Sequence, residues 1–102
     1  MFNNIRSVWA ETALTSAIEG VVREFNKGNT VEGQRWYFKF KKEAHRQAEK
    51  ENGTPTAIEN RALTKIKPET ADAYNDLVTR LSEPGEPLHE INEWLRTNKP
   101  EI

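Results

Sequence analysis

The densest run of chemically capable side chains is Gln34-Arg35-Trp36-Tyr37-Phe38-Lys39-Phe40-Lys41-Lys42. Cationic groups neutralise phosphates and aromatic faces stack on bases, so this mixture is what a single-strand or RNA binder needs. On a helix, with Arg35 as origin, Lys39 falls at about 40°, Arg46 at about 20° and Lys42 at about 340°. Arg35, Lys39, Lys42 and Arg46 thus form one row, while Lys41 lies near 240° on the side of Phe38. The same residues also read as packing. Trp36, Tyr37 and Phe40 then make a core face, and the lysine and arginine stems are its solvated flank.

Other chemistry finds less support. His45 stands among Lys41, Lys42 and Arg46, cations that lower an imidazole pKa rather than prepare a base, so it reads as a solvent-facing helix residue. His89-Glu90 begins like a zinc-protease helix, but the residue four positions after His89 is Glu93, not a second histidine. A His and a carboxylate at that spacing are too few ligands for a structural metal site. With no cysteine in the chain, thiolate metal sites, disulfides and a cysteine nucleophile are excluded together. A phosphate-binding glycine loop and a nucleophile elbow are missing too. No catalytic residue, cofactor or metal is therefore expected.

The elements that must position these residues follow from apolar spacing and turn signals. Leu14, Ala17, Ile18, Val21, Val22 and Phe25 recur as one helical stripe over about residues 4–26, stopped by Lys27-Gly28. Ile5, Val8 and Trp9 point to nearly the opposite side. The chain either bends near residues 10–15, where Ser16-Ala17-Ile18-Glu19 could restart a helix, or buries its first turns against something else. A second helix over residues 30–50, capped by Asn29 or Thr30, carries Trp36, Tyr37, Phe40, Ala44 and Ala48 on one face and leaves Phe38 off it. A strand over 36–40 is the alternative, but residues 41–50 are rich in helix formers and no partner strand lies nearby.

Thr54-Pro55 opens a third helix with Ile58, Ala62, Leu63 and Ile66 on its face. Pro68 opens a fourth, acidic in its first turn, with Ala71, Tyr74, Leu77, Val78 and Leu81. A fifth comes after Pro87 with Leu88, Ile91, Trp94 and Leu95. Residues 98–102 are expected to be a loose tail. The third and fourth helices could form a helix-turn-helix, but Glu69, Asp72 and Asp76 would then face phosphate, which electrostatics opposes.

The fold expected is an all-α, compact, single-domain bundle of about five short helices. At 102 residues, 35% hydrophobic, with a mean hydropathy of −0.86, its core is small for its length, although nine aromatic rings partly compensate. Charge is uneven: residues 34–50 hold six basic and two acidic side chains, and residues 51–102 hold six basic and ten acidic. No apolar run approaches the ~20 residues of a membrane span, and the first residues do not resemble a secretory leader, so a cytoplasmic location is expected. Asn52-Gly53-Thr54 reads as a turn rather than a glycosylation acceptor.

The apolar residues that the core does not readily absorb, namely Ile5, Val8, Trp9 and Phe38, are candidate partner anchors. The function expected is that of a small non-enzymatic protein that binds and modulates a protein partner, with a homodimer as one form of it. The alternative is a nucleic-acid accessory protein acting through Arg35, Lys39, Lys42 and Arg46.

Overall fold

Lys27, Gly28 and Asn29 are all that separates the first two helices, and that turn sets the architecture. In the computed structural model, which describes the backbone of residues 2–100 and the side chains of residues 11–100, α1 (Phe2–Asn26) is followed by α2 (Thr30–Glu51). Gly28 sits at φ +81°, a conformation costly for residues with a Cβ. The Asn29 amide donates to the Glu24 carbonyl at 2.8 Å, which closes the end of α1. A link this short folds α2 back along α1. Asn29 caps α2 by position only; its side-chain amide donates to Glu24 Oε1 at 3.0 Å instead.

α1 runs without interruption, about 37 Å at 1.5 Å per residue. The bend considered near residues 10–15 is therefore not formed: nothing in Ala10–Thr15 removes a backbone donor, and Thr15 merely donates its hydroxyl to the Glu11 carbonyl. The side chains of Ile5, Val8 and Trp9 lie outside the described residues.

α2 ends on Asn52 in the left-handed region, its amide bonded to the carbonyls of Ala48 and Glu49. α3 (Pro55–Leu63) starts as its sequence predicts, with the Thr54 hydroxyl accepting from the Ala57 amide at 3.2 Å. α4 (Pro68–Leu81) comes after a four-residue link, and α5 (His89–Thr97) comes after the Pro-Gly turn at residues 82–88. Among the described residues there is no strand, and residues 36–40 are helical.

The core lies where α1 and α2 meet. Leu14, Ala17, Ile18 and Val21 face Tyr37, Phe40, Ala44 and Ala48; Ile58 and Ala62 of α3, Tyr74 and Leu77 of α4, and Leu88 complete it. Phe40 and Tyr74 meet edge to face, centroids 5.6 Å apart. Two glycines allow the close approach of α1 and α2. A Cβ on Gly20 would stand 2.7 Å from Trp36 Cε2, and one on Gly33 would stand 2.6 Å from Phe25 Cε2. Each helix thus offers a glycine to a ring of the other.

The body measures 44 × 31 × 19 Å, about two helix diameters in its thin direction. Such a flat shape encloses few side chains on all sides. Accordingly α5 has no buried residue within its helical span. No helix among the described residues is long and apolar enough to cross a membrane. The tail, expected to be loose, has Pro100 buried and the Lys99 ammonium 3.6 Å from Glu49.

Candidate partner-binding groove

α2 presents two sides beyond its core face, and the structure divides the sequence-flagged residues between them. On one side Lys41 is drawn inward, its ammonium 2.8 Å from Glu59 of α3 and 5.3 Å from the Tyr37 ring centroid. Burial alone would lower the Lys41 pKa, but the Glu59 charge and hydrogen bond and the Tyr37 hydroxyl outweigh it and hold it above the ordinary value. A lysine tuned upward stays protonated and is the opposite of a lysine base. Burial acts in the other sense on the tyrosines: it raises Tyr37, an effect that the Lys41 charge opposes, and raises Tyr74 well above the ordinary value. This cluster is a satisfied structural tie between α2 and α3.

His45, expected to face solvent, is half-buried. Its pKa is lowered first by burial, with Glu59 pulling the other way and Lys41 adding to the drop. At the start of α5, His89 Nδ1 lies 3.1 Å from the Ser82 carbonyl, while Glu93 pairs with Arg96 at 3.0 Å. The two residues that could have shared a metal are thus each engaged elsewhere. No group of three His, Asp or Glu side chains suited to a metal ion occurs among the described residues.

The other side of α2 opens into a groove of 680 Å³ between α2 and α5. Its lining runs from Val31 and Glu32 through Gln34, Arg35, Trp36, Phe38 and Lys39 to Lys42, with Ile91 contributed by α5. Phe38, off the core face as its spacing requires, is half-buried and packs against Trp94 with centroids 5.7 Å apart. Val31 is 60% and Trp94 44% exposed. Trp36 packs against the core as its spacing suggested, but at its margin: it is half-buried against Gly20, with the Lys39 ammonium 4.9 Å and the Arg23 guanidinium 5.7 Å from its ring centroid.

The four cations of the row are engaged unequally. Arg35 pairs with Glu32 at 3.1 Å and Arg46 with Glu43 at 3.2 Å. Lys39 and Lys42 are exposed, and no ion pair among the described residues holds either. Of the row, Arg35, Lys39 and Lys42 line the groove and Arg46 does not.

Polar bonds hold the far wall. Gln34 Nε2 donates to the Pro87 carbonyl at 2.9 Å. The Tyr37 hydroxyl donates to Asn92 Oδ1, and Asn92 Nδ2 donates to Ser82 Oγ at 2.8 Å. Sequence reasoning does not single out Val31, Trp94 and Ile91 as site residues. Val31 lies in the first turn of α2 among polar neighbours, which is the one available signal; the others share the apolar face of a helix that reads as buried. Comparison with protein-family models, curated proteins and solved structures finds no match to this chain.

Proposed function

We propose that this chain is a non-enzymatic binding module that modulates a partner protein by seating part of it in the α2–α5 groove. One observation carries the reading: Val31, Phe38 and Ile91 line an open groove that the described residues leave uncovered, with the exposed Trp94 packed against Phe38 beside it. Apolar and aromatic side chains grouped in a concavity, with charge confined to its edge, are what a protein interface needs. The neighbouring Lys41 supports the same reading, because its ammonium is tied to Glu59 and held protonated, so it is no free base.

The test is a photo-crosslinking amino acid placed at Val31, with a control at Thr79, an exposed position on α4. Cells expressing each variant are irradiated, and lysates are treated with nuclease or left untreated. A protein adduct expected from position 31 survives nuclease and is missing from position 79. Equal trapping at both positions, or adducts of nucleic acid alone, would overturn the reading.

A further inference from the structure

We infer that the occupant of the groove is an acidic amphipathic helix of a partner protein, its apolar side chains on Val31, Phe38 and Ile91 and its carboxylates on Lys39 and Lys42. This rests on the groove being the binding surface.

Charge points to the carboxylates. Arg35 and Arg46 already hold Glu32 and Glu43, so the cations of the row without an ion pair among the described residues are Lys42 and Lys39, the latter resting over the Trp36 ring. Their spacing of three puts them one turn apart on the same side of α2. Carboxylates three or four apart on a facing helix match that interval. The apolar floor selects a ligand with an aliphatic face, and lysine stems extend such a floor up to the charged rim.

Length fits as well. From Val31 to Lys42 the axis of α2 advances about 16 Å, or three turns. The chain's own α5 shows what this side of α2 accepts. It contributes Ile91 to the groove wall, sets Trp94 against Phe38 and keeps Glu90 and Glu93 exposed. It is itself a short acidic amphipathic helix.

Nucleic acid fits less well. The Trp36 indole rests on Gly20 and lies under two cations, and Phe38 is engaged with Trp94. Trp36 is thus not free to stack a base, and Phe38, a single half-buried ring, is no platform for successive bases. Glu32 stands on the rim, and two lysines are a small phosphate footprint.

The experiment uses three helical peptides of about four turns, sharing one leucine face and flanked by Glu, by Gln or by Lys. Each is titrated into the intact protein by calorimetry, alongside an oligo-dT strand, and the protein alone is followed by light scattering. The Glu peptide is expected to bind about tenfold tighter than the Lys peptide, with the Gln peptide between. The double variant Lys39→Glu/Lys42→Glu is expected to reverse that order, and Lys39→Gln/Lys42→Gln to level it, each with a circular dichroism spectrum like the parent's.

Equal binding of all three peptides, still weakened by Val31→Ser, would overturn the acidic partner and leave the groove standing. Binding of none of them would overturn both. Oligo-dT binding that the double reversal abolishes would make the ligand nucleic acid. A concentration-dependent dimer that the reversal abolishes would make it a second copy. Either result overturns the inference.

Discussion

The α1–α2 contact and the α2–α5 edge are built on different physics. At the first, four side chains of α1 are essentially sealed from solvent and glycines let two rings lie on the facing helix. At the second, no residue within α5 is buried, Leu88 just before it serves as the anchor, and amide and hydroxyl bonds do much of the holding. Apolar surface at the first serves stability. At the second, part of it stays in water, and this is the surface we propose for recognition. Two rings two residues apart on α2 mark the divide, since Phe40 faces the core and Phe38 faces the edge.

Replacing those two rings is the sharpest way to break the contrast. Phe40→Ala is expected to cost about 3–5 kcal/mol, a large part of a small domain's stability, because the ring is fully enclosed. Phe38→Ala is expected to cost about 1 kcal/mol, the scale of an aromatic pair at a half-open site, and to weaken peptide binding. Urea unfolding of both variants checks this, and equal losses would erase the distinction between core and edge.

High pH comes next in size. The Tyr37 and Tyr74 hydroxyls are held up by burial. Lys41 is held up on balance by Glu59 against its own burial. All three have folded pKa values above their unfolded ones, so their contribution is complete below the unfolded values and is lost as pH rises through the folded ones. Stability is therefore expected to hold up to about pH 10, where free tyrosine and lysine begin to titrate, and to fall above it. Denaturant midpoints measured on either side of that value give the slope. Tyr74→Phe should flatten it, and an unchanged slope in that variant would contradict the assignment.

Gly20→Ala is the smallest of the core effects. The added methyl must displace the Trp36 indole, an overpacking cost of about 1–3 kcal/mol. About 1 kcal/mol of helix propensity is regained. A net loss of up to about 2 kcal/mol should appear in thermal unfolding, whereas a gain would mean that the ring moves aside freely.

How far the sequence reaches differs between the two regions in the same way. Helix periodicity locates the α1 stripe and the α2 face of Tyr37, Phe40, Ala44 and Ala48, because local spacing determines which residues share a side. Thr54-Pro55, Pro68 and the glycine turns place the helix ends for similarly local reasons. Spacing puts Trp36 on the core face but does not reveal that it meets Gly20 at the margin and stays half-covered. Lys41 can be judged only by its angle, while its position depends on Glu59 across 18 residues of chain. Phe38 stands out as surplus, yet Val31, Ile91 and Trp94 do not, since the groove exists only once α5 returns to α2 across more than 50 residues. The fold is legible from patterns, and the candidate site depends on how distant patterns meet.

The most direct measurement is a backbone amide chemical-shift map of the isotope-labelled protein titrated with the Glu-flanked helix. Shifts are expected to concentrate on Val31–Lys42 of α2 and on His89–Leu95 of α5, leaving α3 and the outer face of α4 unmoved. Perturbations centred on α3 and α4, with Val31, Phe38 and Ile91 unchanged at saturation, would contradict the account.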